Sequence, residues 1–116
     1  MKHAFATIQG TCEDEKMILN ALLTSMKINN MSVIKTMDHS FYPHGYSVCI
    51  LLAESHACVH TWPEKARMVI DVFSCNDETS PKLAIRDFVY HSNKMINDSS
   101  KRFFVGEIQE IKRGLD

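Results

Sequence analysis

The stretch 51-LLAESHACVHTWPEKARMVIDVFSC-75 places Glu54, Ser55, His56, Cys58, His60, Glu64, Asp71 and Cys75 in one short segment of a 116-residue chain. The residues leading into it, Tyr46–Glu54 (YSVCILLAE), are apolar enough for a central strand buried on both faces. Within it, Pro63 interrupts regular pairing, and Ala66–Cys75 (ARMVIDVFSC) reads as a further strand. If Ser55 to His60 is extended, alternation puts His56, Cys58 and His60 on one face and Ser55, Ala57 and Val59 on the other.

Outward from this stretch, His3–Gly10 reads as a strand and Met31–Phe41 as another, followed by a turn at Tyr42–Gly45. Between the first two strands, Met17, Ile18, Ala21, Leu22 and Met26 recur at helical spacing. Thr11 is the expected N-cap, with Glu13, Asp14 and Glu15 in the first turn. A second helix starts at Ser80-Pro81, cap and first position, with Leu83, Ala84, Phe88 and Met95 facing inward. Lys101–Ile111 closes as a strand. The order β-α-β-β-β-α-β predicts an α+β fold: a two-layer α/β sandwich, mainly antiparallel sheet with two helices on one face. No linker or repeat divides residues 1–116, so a single domain is expected.

Apolar residues make up 45% of the chain and charged residues 23%, ordinary values for a globular domain. A net charge of −1 without a Lys/Arg run offers no nucleic-acid surface. No apolar run nears the ~20 residues that span a bilayer, and the N-terminus turns acidic too soon for a signal peptide. The expected location is cytoplasmic, with no membrane partner. Cys12, Cys49, Cys58 and Cys75 then read as thiols, and no CxxC pair occurs.

Three chemistries compete for the dense segment. His56, Cys58, His60 and Cys75 are ligand types that zinc accepts, but closed zinc sites use short-spaced pairs on turns, and no metal is expected. A cysteine beside a histidine is a candidate nucleophile. In Glu-Ser-His, a serine hydroxyl lies beside its own preceding carbonyl. A bent backbone, an oxyanion donor and a base would let it shift the peptide to an ester. The residue types alone do not choose among these.

The segment resembles the signature of the prokaryotic S-adenosylmethionine decarboxylase proenzymes. Their pattern is Glu-Ser-His, three residues, His-Thr-(Trp/Tyr)-Pro-Glu, then Asp-x-(Phe/Tyr)-(Thr/Ser)-Cys-Gly. Here it stands as Glu54-Ser55-His56, His60-Thr61-Trp62-Pro63-Glu64 and Asp71-Val72-Phe73-Ser74-Cys75. The upstream HSFYPHGYS (His39–Ser47) is similar to the family's segment before its cleavage strand. Asn76 stands where the family has glycine; asparagine tolerates a left-handed backbone there.

The resemblance implies self-cleavage between Glu54 and Ser55 into a β chain, residues 1–54, and an α chain, residues 55–116. Ser55 becomes a pyruvoyl group whose ketone forms a Schiff base with the substrate amine and acts as the electron sink. It further implies His60 as the processing base, Ser47 as its accessory, and Cys75 as the proton donor in decarboxylation. Glu64 would accept from the ribose hydroxyls and Phe41 would stack on adenine. Trp62 is a second aromatic candidate for that stack or for the sulfonium, with packing beside Pro63 as its plain alternative. Asp71 is expected in a structural hydrogen-bonding role. The product is the aminopropyl donor for spermidine synthesis, and the family's assembly is a homodimer of αβ protomers. Two alternatives remain: a pyruvoyl-dependent decarboxylase of arginine or ornithine, and an unprocessed homologue serving as a partner subunit.

Overall fold

A computed structural model describes residues 1–10, 12–96 and 101–114. In chain order the elements are β1 (Lys2–Gln9), α1 (Glu15–Ile28), β2 (Val33–Ser40), β3 (Tyr46–Leu52), β4 (Ser55–Trp62), a 3₁₀ turn (Pro63–Lys65), β5 (Arg67–Ser74), α2 (Pro81–Met95), β6 (Phe104–Val105) and β7 (Gln109–Lys112). The strands form one antiparallel sheet in the order β2-β3-β4-β5-β1-β6, with β7 also paired to β1. This is the expected α+β sandwich.

Alternation builds the core. Ala4, Ala6 and Ile8 of β1, Val48, Ile50 and Leu52 of β3, Ala57 and Val59 of β4, and Met68, Ile70 and Val72 of β5 are all buried on one face. They pack with Ile18, Leu22 and Met26 of α1 and Ala84, Ile85 and Phe88 of α2 in one cluster. The helices are tied side by side where Ser25 Oγ donates to the Ala84 carbonyl and Asn29 Nδ2 donates to Asp87 Oδ2 at 2.9 Å. Among the described residues, no layer covers the opposite sheet face. Phe5, Met37, Leu51 and Ile111 are exposed there, more apolar surface than a scatter of single side chains.

Several local expectations are corrected. Asp14, not Thr11, caps α1, its carboxylate accepting from Met17 N at 3.1 Å; Thr11 itself lies outside the described residues. Ser55–Trp62 is a full strand between β3 and β5, and Pro63 ends it rather than disrupting it. β3 is therefore buried on one face only, with Cys49 and Leu51 exposed. In α2, Ser80 caps and Pro81 opens the helix as expected, but Leu83 and Met95 face solvent. The closing segment is two short strands, split where it leaves β1 around Gly106.

Candidate active site

The turn between β3 and β4 contains only Ala53 and Glu54, with Leu52 paired directly to Ser55. Two-residue hairpins favour turns whose first residue has positive φ, matching the twist of the strands. Here the left-handed residue is the second, Glu54, at φ 60°. A residue with a Cβ pays roughly 1–2 kcal/mol for that conformation, so strain sits on the peptide that precedes Ser55.

Ser55, Glu54 and Cys75 meet at this end of the sheet. Cys75 N donates to Ser55 Oγ at 3.1 Å, Cys75 Sγ lies 3.9 Å from Ser55 Oγ, and Cys75 Sγ is 3.4 Å from Glu54 Oε2. The turn after Cys75 is held by polar contacts. Asn76 Oδ1 accepts from Glu78 N at 2.9 Å, and Ser74 Oγ pairs with the buried Thr79 hydroxyl. Asn76 does not adopt positive φ. Its side chain closes the turn, so no glycine is required there.

The remaining matched residues lie at the other end. Ser47 and His60 are register partners on β3 and β4, with Ser47 Oγ 2.7 Å from His60 Nδ1. Phe41 follows β2 at the same edge, its ring edge-on to His39 at 4.6 Å. Trp62 ends β4, tilted towards His60 at 6.2 Å, and Glu64 is exposed in the 3₁₀ turn. Phe41 is 52% and Trp62 41% exposed, so each presents ring surface to solvent. Tyr46 OH donates to Asp38 Oδ2 at 2.6 Å, and burial together with that carboxylate pushes the phenol well above its ordinary range.

His60 is five positions along β4 from Ser55, or about 16 Å of extended chain. It also points to the open face, whereas Ser55 has the parity of buried Ala57 and Val59. The matched residues of one chain therefore fall into two halves, at opposite ends of β4. A cleft of about 690 Å³ over β1 and β5, lined by Phe5, Arg67, Asp71, Phe104 and Glu107 among others, contains none of the residues in either half.

The comparisons with known proteins concern the chain as a whole. The S-adenosylmethionine decarboxylase family model matches residues 4–94. The chain belongs to that family. It is 34% identical over 114 residues to the S-adenosylmethionine decarboxylase proenzyme of Hydrogenobaculum sp., covering 95% of this chain and 84% of that one. It is 39% identical over 72 residues to the proenzyme of Parasynechococcus marenigrum, covering 62% and 56%. The crystal structure of the adenosylmethionine decarboxylase from Aquifex aeolicus superposes with a TM-score of 0.77 at 27% identity, covering 99% of this chain and 91% of that one.

The structural hydrogen-bonding role expected of Asp71 has two partners. They are His3 and His56, whose Nε2 atoms lie 2.9 Å and 3.1 Å from Asp71 Oδ2. No spacing pattern signals this contact, because it depends on β1 pairing with β5 across most of the chain length.

Proposed function

We propose that this chain is a self-processing, pyruvoyl-dependent decarboxylase of S-adenosylmethionine, working as a homodimer whose active sites each combine the two halves from different copies. Ser55 and Cys75 come from one copy; Ser47, His60, Phe41, Trp62 and Glu64 come from the other. The observation that carries the reading is the separation of Ser55 from His60 along β4. A base must come within hydrogen-bond reach of the proton it removes, and two ends of one strand do not meet. A two-fold axis near the middle of β4 would bring one copy's Ser55 end beside its partner's His60 end, twice over. The uncovered apolar face supplies the surface for that contact.

In processing, Ser55 Oγ attacks the Glu54 carbonyl carbon, and the peptide nitrogen leaves to become the free amine of residue 55. The strained Glu54 backbone favours departure from the peptide geometry. His60, oriented through Nδ1 by Ser47, removes the α-proton of residue 55. The ester oxygen then leaves with Glu54 as its carboxylate, and water releases ammonia from residue 55. The products are residues 1–54 and 55–116, held in one sheet by the β3–β4 ladder.

The pyruvoyl group so formed supplies the electron sink for loss of CO₂. The arrangement of residues fits that origin: a serine behind a left-handed residue, with a backbone N–H on its oxygen. The Cys75 thiol, beside position 55, returns a proton to the substrate α-carbon. Glu64 accepts from the ribose hydroxyls as an ionised carboxylate, and Phe41 and Trp62 flank the adenine and the sulfonium. A decarboxylase of free arginine or ornithine would need neither aromatic platform nor ribose acceptor. The relatives matched carry the S-adenosylmethionine decarboxylase name, which leaves that alternative and the non-catalytic partner subunit without support. No helix among the described residues is long and apolar enough to cross a membrane.

Intact mass spectrometry under denaturing conditions, on fresh and incubated protein, tests the reading. Two chains dividing between Glu54 and Ser55, the second lacking a free amine, together with CO₂ release from S-adenosylmethionine, are expected. A persistent full-length mass with no CO₂ release overturns it.

A further inference from the structure

The open face carries a polar cluster that the reaction above leaves unused. Asp71 Oδ2 lies 2.9 Å from His3 Nε2 and 3.1 Å from His56 Nε2. On the other side of His3, Arg113 Nη2 donates to Nδ1 at 2.9 Å. The His56 ring stacks on Phe73 with centroids 5.6 Å apart and meets the His3 ring edge-on at 5.8 Å.

Two imidazoles and a carboxylate converging in this way form a donor set that zinc accepts. Arg113 argues against a metal. A guanidinium can only donate, so His3 Nδ1 presents its lone pair, and neutral His3 carries its proton on Nε2. A metal at Nε2 would require the opposite tautomer, with an Nδ1–H aimed at the guanidinium. Asp71 is better read as a shared acceptor for two N–H groups.

The cluster spans the proposed cut. His3 belongs to residues 1–54, whereas His56, Asp71 and Arg113 belong to residues 55–116. Cleavage makes residue 55 a chain end, joined covalently only to His56, and chain ends fray unless tied down. We propose that Asp71 is a positioning residue: by holding His56 it fixes the first residues of the 55–116 chain and keeps the group at position 55 against Cys75. His3 braces Asp71 from the other chain, and Arg113 sets the His3 proton. This inference rests on cleavage between Glu54 and Ser55.

The test is a double-mutant cycle in the full-length protein: wild type, D71N, H56A and D71N/H56A. Each is quantified for cleavage by intact mass, and kcat and KM for S-adenosylmethionine are expressed per cleaved chain. D71N keeps the size of the side chain but trades the charged acceptor for a neutral amide oxygen, which holds the two imidazole N–H groups more weakly, and thermal melts verify that each variant folds. D71N and H56A are each expected to lower kcat about tenfold with KM within about twofold, the cost of a slightly misplaced reacting group. The double variant is expected to be no worse than the poorer single one, because both act through one contact. H3A should lower kcat in the same direction by less. Additive losses, losses confined to KM, or an unchanged kcat in D71N overturn the proposal. A wild-type chain that never cleaves brings down the underlying reading and this proposal together. A cleaved, active wild type with an unaffected D71N brings down this proposal alone.

Discussion

Ser47 Oγ and His60 Nδ1 meet at 2.7 Å across the β3–β4 pair, at the end of β4 remote from the turn that carries Ser55. If each site takes one half from each copy, two defective chains should repair one another. H60A alone should cleave about a hundredfold more slowly or worse, the usual cost of losing a general base, and S55A should not cleave at all. Co-expressed, the H60A chain retains its own Ser55 and meets an intact His60 on the S55A partner. Mass spectrometry should then find cleaved H60A chains; their absence from an isolated mixed dimer would show that the site is not shared.

Glu54 holds φ 60° at the second position of the turn. Glycine adopts that conformation without steric cost. In an S55A background, which blocks cleavage, E54G should raise the urea midpoint, with a gain of up to about 1 kcal/mol. With Ser55 restored, the same substitution should slow cleavage, because the stored strain is gone. A faster cleavage rate in E54G would remove strain from the processing step.

Cys75 Sγ lies 3.9 Å from Ser55 Oγ, close enough for its thiol to reach a group formed there by the proposed processing. C75A should cleave, since the Cys75 backbone N–H on Ser55 Oγ is retained. Decarboxylation by the cleaved enzyme should fall by about 10²–10⁴-fold, the range for losing a general acid. Single-turnover CO₂ release against cleaved fraction separates the two steps. Full activity in cleaved C75A would assign the proton to another group.

Glu64 is exposed on its 3₁₀ turn with no ion-pair partner among the described residues. E64Q should fold and cleave normally. Losing a charge-assisted hydrogen bond of about 1.5–3 kcal/mol should raise KM for S-adenosylmethionine by roughly 10–100-fold. An unchanged KM would place the ribose elsewhere.

Alkaline stability offers a check on the open face itself. Burial first, and then neighbouring Cys49 and the Asp71 carboxylate, push the Cys58 thiol from an ordinary 9.0 up to about 12. A folded-state pKa above the unfolded one means that the native state holds the proton more tightly. The stabilisation is complete below about pH 9 and is lost as pH rises towards 12. Buried Tyr46, bonded to Asp38, acts in the same direction. Urea midpoints of S55A should fall over this window, and more gently in S55A/C58A; identical slopes would remove Cys58 from the account.

The sequence read most clearly where a local rule acts alone. The apolar spacing of α1, the Ser80-Pro81 start of α2 and the motif from Glu54 to Cys75 need only neighbouring residues to be recognised. β4 is less legible because the strand alternation of Ser55–Trp62 runs through a motif dense in chemistry. Its partners on both sides, β3 and β5, are what make it a strand. Leu83 and Met95 show the converse. They are apolar residues on an apolar-rich helix, yet they face solvent, because the two-layer packing buries only the stripe through Ala84, Ile85 and Phe88.

The amino-acid sequence by itself determined the family signature from Glu54 to Cys75 and the chemical groups it carries, since those follow from residue types at short, fixed spacing. The tertiary structure alone decided that Ser55 and His60 stand about 16 Å apart along one strand and that His3 reaches Asp71 from 68 residues away. The rise of a strand separates what the motif lists side by side. The β1–β5 register joins what the chain keeps far apart.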